Sequence, residues 1–186
     1  MTTIDGVQPS EHQNNIFVTV GMDHHPFDRL MQWVSAWAAK SRPPVPVIVQ
    51  YGSSSVPAGV RAVQFLDQHD MHSLLCRSLA VVTSGGPGTV MGAREVGLLP
   101  IVVPRQPQLG EHVDGHQLRF ARHLATQRLA VVCEQPGELA TALDAALADP
   151  ERYRLRADRP EPPGLANTAE LVDALVVASR RRTRRR

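Results

Sequence analysis

Val81-Val82-Thr83-Ser84-Gly85-Gly86-Pro87-Gly88-Thr89 sets an apolar run of strand length directly against a glycine turn and the start of a helical pattern. Glycines remove Cβ atoms so that backbone N–H groups can approach an anion, and a helix N-terminus adds partial positive charge. The stretch has the make-up of a phosphate-binding turn, with a plain glycine connection as the alternative. Gly86, Gly88 and Gly92 also fit a loose GxGxxxG dinucleotide pattern. Against an NAD site, however, the turn lies mid-chain and no acidic residue ends the next strand to hold a ribose.

Working outward, short Val- and Ile-rich runs at 16–20, 45–50, 80–83, 100–103 and 130–133 read as buried strands, with a weaker one at 61–65. Helical spacing of apolar residues marks 27–40, 69–77, 89–96 and 116–127 between them, and 136–148 and 168–181 after them. Strand and helix taking turns predicts an α/β fold, a parallel sheet with helices on both faces. The proline-rich, charged stretch 149–164 reads as a connector. Residues 1–15 read as a flexible N-terminus, 16–179 as one domain and 180–186 as an arginine-rich tail.

The 186 residues are 42% hydrophobic and 20% charged, enough apolar material for one domain and too much for a disordered chain. Cys76 and Cys133 stand without CxxC spacing, which argues against a thiol redox motif or a cysteine zinc site. No signal-peptide core and no apolar run of membrane-spanning length is present in the sequence, so a cytoplasmic location is expected. Six arginines, Arg180, Arg181, Arg182, Arg184, Arg185 and Arg186, are among the 20 basic residues; without them the 18 acidic residues outnumber the basic ones. A basic body that tracks nucleic acid is therefore not expected, while the tail offers either peripheral attraction to an anionic membrane or a solubilising end. The only lysine, Lys40, lies far from the glycines, which excludes a P-loop.

Ligands of open parallel sheets bind beyond the carboxyl ends of the strands. The segments there, 21–25, 51–55, 84–88 and 105–117, are polar and glycine-bearing. In the last, Asp114 is a natural helix N-cap, placing His116 and Gln117 in the first turn while Leu118, Ala121 and Ala125 face the core. The bland alternative makes Asp114 only a cap and the other two solvated. His112 and His116 are four apart with Glu111 and Asp114 nearby, but the predicted helix begins after His112, so the two do not share a helix face and no metal site is expected. Of the adjacent His24 and His25, at least one is expected to be merely solvated. Trp33 and Trp37 share a helix face with Leu30 and Val34, read as core packing, with a partner surface as the alternative.

Four stretches occur in an order that resembles the glycosyltransferase family 28 C-terminal domain. They are Ile16-Phe17-Val18-Thr19-Val20-Gly21 with Phe27-Asp28-Arg29-Leu30; Ser84-Gly85-Gly86-Pro87-Gly88-Thr89; Gly97-Leu98-Leu99-Pro100-Ile101-Val102-Val103-Pro104; and the run from Arg105 through Leu109-Gly110-Glu111-His112 to Asp114, His116 and Gln117. The likeness covers about residues 16–135 and is similar to stand-alone catalytic subunits of two-component N-acetylglucosaminyltransferases and to bacterial exopolysaccharide enzymes. It implies the Rossmann-like, nucleotide-sugar-binding half of a GT-B fold. The implied reaction is inverting transfer of a hexose, N-acetylglucosamine being one candidate, from a UDP-sugar to a lipid-linked or polysaccharide acceptor. A membrane-anchored partner would supply the acceptor half and the base, at the cytoplasmic membrane face, with no metal or other cofactor. The resemblance assigns Gly21, Ser84, Gly85, Gly86, Gly88 and Thr89 to the diphosphate, Leu66 and Glu95 to uracil and ribose, and Glu111, His112, Asp114, His116 and Gln117 to the sugar. Gly92 stands where several relatives carry a ribose-binding glutamate, and Ser84 where stand-alone members usually carry a histidine. A non-catalytic nucleotide-binding regulator on the same fold is the alternative.

Overall fold

The computed structural model describes residues 15–155. The expected N-terminal segment, the helix at 168–181, most of the connector and the arginine tail lie outside the described residues.

Six parallel strands form one sheet in the order β3-β2-β1-β4-β5-β6. They are β1 (Asn15–Thr19), β2 (Val47–Gln50), β3 (Arg61–Val63), β4 (Ser78–Ser84), β5 (Ile101–Val103) and β6 (Val131–Val132). Every residue of β1, β4 and β5 is buried, as the unbroken Val/Ile runs require of strands covered on both faces. Helices α1 (Asp28–Ser41) and α5 (Pro136–Ala148) cover one face. Helices α2 (Gln68–Cys76), α3 (Pro87–Glu95) and α4 (His116–Thr126) cover the other. Trp37 is buried between α1 and α5, its indole Nε1 donating to Asp144 Oδ1 at 2.8 Å. Trp33 is half-buried beneath the Arg29 guanidinium. Core packing accounts for both indoles. No helix among the described residues is long and apolar enough to cross a membrane.

Chain direction across the sheet reverses between β1 and β4, the place where open α/β sheets form a crevice at their carboxyl edge. Three local expectations are corrected here. Helix α3 starts at Pro87, two residues earlier than the apolar spacing suggests, because proline's fixed φ suits the first helical position. The N-cap of α4 is Gly115; Asp114 stands one residue earlier and accepts the His116 N–H at 2.9 Å from there. Ala125 is exposed, and the buried stripe of α4 runs through Gln117, Ala121 and Leu124.

Candidate functional site at the β1 and β4 carboxyl edge

Gly21 takes φ +76° immediately beyond β1, a left-handed turn open to glycine without strain. A Cβ there would lie 3.7 Å from Thr89 Oγ1 and 3.9 Å from Ser84 Oγ, so the turn after β1 faces the turn after β4. Ser84 Oγ donates to the Val20 carbonyl at 3.3 Å and closes the same pair. Gly88 and Thr89 stand in the first turn of α3, whose leading N–H groups lack intrahelical acceptors, and that turn holds no acidic residue. A Cβ at Gly88 would meet nothing within 4 Å. The edge of the turn is thus open, electropositive and lined by main chain.

Arg105 pins the neighbouring loops together. Fully buried after β5, it donates from Nη1 to the carbonyls of His25 (2.8 Å) and Glu111 (3.0 Å), and from Nη2 to that of Val20 (3.2 Å). Its guanidinium lies 4.8 Å from the centroid of the Phe27 ring. Burial lowers the pKa of this guanidinium, while the charges of Asp23 and Glu111 oppose the shift. Glu111 takes a two-pronged ion pair from Arg29 (2.7 and 2.8 Å) and also accepts the Gln106 N–H at 2.8 Å. Its carboxylate is turned inward as an anchor of the loop, whereas the resemblance places it against a sugar.

The imidazoles gather on the outer side of this frame. His24 is solvated and His25 is turned in, its Nδ1 at 2.7 Å from Asp23 Oδ1. His112 Nε2 lies 3.2 Å from Asp23 Oδ2, and His116 Nδ1 closes on Asp114 Oδ1. Burial pushes the Asp23 carboxyl up, but hydrogen bonds from the His25 N–H and ring, with the charges of Arg105 and His112, outweigh it and hold the pKa below its ordinary value. The His116 N–H and ring do the same for Asp114.

Gln117 is 5% exposed, and its Oε1 has no hydrogen-bond partner. A buried acceptor without a donor is costly unless something else fills the place. Leu66 is also buried; its N–H donates to Gln50 Oε1, and Gln50 Nε2 donates to the Gly21 carbonyl, tying the segment after β3 to the turn after β1. Glu95 is exposed at the last position of α3, two turns from the glycines, and is not brought together with the others. Sequence reasoning did not single out Asp23, Gln50 or Arg105. The one signal available for each was a polar side chain at or just past the end of a buried strand.

The family model of the glycosyltransferase family 28 C-terminal domain matches residues 15–173. No curated protein matches the chain. Among solved structures, the glycosyltransferase of kitacinnamycin is similar with a TM-score of 0.58 at 17% identity, over 77% of this chain and 37% of that one. The calicheamicin glycosyltransferase CalG4 gives 0.54 at 20%, over 77% and 37%. MurG of Acinetobacter baumannii gives 0.54 at 18%, over 78% and 44%. At such identities the likeness is one of fold, and the chain spans less than half the length of each of these enzymes. With a six-stranded sheet of this order and a match over most of its length, the chain belongs to the glycosyltransferase family 28 C-terminal domain family.

Proposed function

We propose that this chain is the donor-binding and catalytic subunit of a glycosyltransferase that moves a hexose from a UDP-sugar to a lipid-linked or polysaccharide acceptor. The observation that carries the reading is Gln117 Oε1, a buried acceptor without a partner on a side chain packed against the glycine turn at the β1 and β4 edge. A sugar hydroxyl is a donor of the right kind for it. In this arrangement the diphosphate lies against Gly21, Ser84, Gly85, Gly86, Gly88 and Thr89, and the uracil against the backbone around Leu66. His112, Asp114, His116 and Gln117 contact the sugar. Glu111 supports their loop, and Glu95 is left outside the contact set by its position.

Transfer with inversion needs the acceptor oxygen to attack the anomeric carbon from the face opposite the diphosphate. The C–O bond to the diphosphate breaks as the new one forms, and a base takes the acceptor's proton. Charge developing on the leaving diphosphate is met by the N–H groups and dipole of α3. The base and the acceptor site belong to a second domain, which we assign to a membrane-anchored partner subunit at the cytoplasmic face. The arginine tail adds peripheral attraction to that surface.

The test is transfer from a radiolabelled UDP-sugar by the purified chain, with and without membranes containing its partner. The expected result is donor binding throughout and turnover only with the membranes. Sustained turnover by the isolated chain in detergent would refute the partner requirement. Nucleotide binding without transfer under any of these conditions would mark a regulatory module instead.

A further inference from the structure

Main-chain pairing across the sheet stops short of the loops beyond it. β1 pairs with β2 as far as Thr19 and Gln50, and β2 with β3 as far as Gln50 and Val63. Three further bonds extend these ladders, from the Val20 N–H to the Gln50 carbonyl (3.2 Å), from the Tyr51 N–H to the Val63 carbonyl (3.0 Å) and from the Gly52 N–H to the Gln64 carbonyl (2.9 Å). Gly21 and Leu66 lie past the last of them. One side chain reaches both: Gln50, fully buried at the carboxyl end of β2, donates from Nε2 to the Gly21 carbonyl at 3.1 Å and accepts the Leu66 N–H on Oε1 at 3.2 Å.

β2 stands between β1 and β3, so the two bonds leave the amide in opposite directions and span the ends of three strands. The other residues of β2, Val47, Ile48 and Val49, are apolar. A buried amide costs desolvation that another apolar residue would not, and it is tolerated only with its hydrogen bonds made. Here both ends of the amide are committed to loop main chain, while the ladders beneath hold the strands together without it. The fixed carbonyl also sets a peptide plane. The Gly21–Met22 bond is trans, so its N–H points opposite to its C=O. With the carbonyl held towards β2, the Met22 N–H is directed to the side of β1 on which β4 and the start of α3 stand.

We propose that Gln50 is a positioning residue for the nucleotide: its amide touches no ligand but fixes the distance between the Leu66 segment, which takes the base, and the Gly21 turn, which takes the diphosphate. The proposal rests on the donor-binding reading given above. A nucleoside diphosphate spans a set length from base to phosphates, and two binding segments held at that separation beforehand lose less freedom when it arrives. Without the amide each segment keeps its place on its own strand but drifts relative to the other, and the nucleotide as a whole binds more weakly.

The test is calorimetric titration of the full chain with UDP, with melting recorded for each protein. Gln50→Met keeps length and packing and removes both bonds, and the folded variant is expected to lose UDP affinity about tenfold, the scale of one or two net hydrogen bonds. Gln50→Glu supplies the rescue, and it reads the proposal even where Gln50→Met does not fold. A neutral carboxyl donates to the Gly21 carbonyl and accepts from the Leu66 N–H as the amide does, whereas the ionised form has no proton to donate. Burial raises a carboxyl's pKa, so the UDP affinity of Gln50→Glu, taken relative to the parent at the same pH, should be low at about pH 8 and recover towards the parent's by about pH 5.5. A role in folding alone would lower the melting temperature and leave the UDP affinity of the folded protein unchanged. UDP affinity of folded Gln50→Met equal to the parent's, or a ratio for Gln50→Glu that stays flat across this range, would overturn the proposal. A parent that binds no UDP would overturn the donor-binding reading and this proposal with it.

Discussion

A Cβ built on Gly85 would lie 2.9 Å from the carbonyl oxygen of Gln117 and 3.0 Å from its Cβ, so the turn after β4 and the first turn of α4 meet almost backbone to backbone. The neighbour in the way is mostly main chain, and only movement of the α4 start could make room. Gly85→Ala is therefore expected to destabilise the fold by about 1–3 kcal/mol, as overpacking in a close-packed site does. Thermal melting should show a fall of several degrees. An unchanged midpoint would mean that the two turns are not in contact.

Gly88, three residues on, behaves in the opposite way. A Cβ there meets nothing within 4 Å, and the residue lies inside the first turn of α3. Gly88→Val should fold and melt like the parent. If the diphosphate lies against this turn, the branched side chain occupies its place, and UDP affinity should fall about tenfold or more. Calorimetry with UDP on the folded variant reads this directly; unchanged affinity would move the diphosphate elsewhere.

Much of this architecture is legible in the sequence, because β1, β4 and β5 are continuous apolar runs and the helices between them keep a 3.6-residue period. The order of turns along one edge follows from that alternation. What was not legible has physical causes. The buried stripe of α4 begins with a polar residue, Gln117, which hides it from an apolar pattern and misdirects Ala125 to the core. The start of α3 is set by Pro87, not by an apolar residue. His112 and His116 converge through a loop, so their separation in sequence says nothing about their faces. Arg105 and Glu111 look like surface charges in the sequence, and only the folded chain shows them buried as anchors.

The two thiols should differ sharply. Cys133 is buried beyond β6, and burial with the nearby charge of Glu138 pushes its pKa up to about 12. At neutral pH it is almost wholly protonated, hence a poor nucleophile as well as an inaccessible one. Cys76 is exposed at the end of α2, with its Sγ 3.4 Å from His72 Nε2. Alkylation of the native protein at pH 7.5 should modify Cys76 alone, and Cys133 should react only on unfolding. Peptide mass mapping distinguishes the two.

Arg105 is the link whose loss should be felt most widely. Replacing it with Met keeps much of the packing on Phe27 but removes the donor to the carbonyls of His25 and Glu111 and leaves the Val20 carbonyl with Ser84 Oγ alone. Glu111 would also lose a nearby compensating charge, although its pair with Arg29 remains. Removing one member of a buried charged network costs about 3–5 kcal/mol, and denaturant unfolding should show a loss of that size. Arg105→Lys should recover only part of it, because a compact ammonium does not reproduce the planar fork that reaches all three carbonyls.

Gln117 provides the test that separates function from structure. Its side chain is buried with Oε1 unpartnered, an arrangement that lowers stability in the free protein unless a ligand supplies the missing donor. Gln117→Met keeps length and volume and removes the unpaired oxygen. Stability should therefore stay level or rise by up to about 1 kcal/mol, the mark of a residue retained for binding and not for folding. If the oxygen accepts from a sugar hydroxyl, the same change should weaken UDP-sugar binding by about tenfold, the equivalent of one lost hydrogen bond in a buried site. If the diphosphate lies against the glycine turn and not against this oxygen, UDP alone should bind as before. Paired calorimetric titrations with UDP and with the UDP-sugar that the parent binds most tightly measure the split. Equal losses for the two ligands would place Gln117 at the diphosphate, and a fall in melting temperature would show that its amide supports the fold itself.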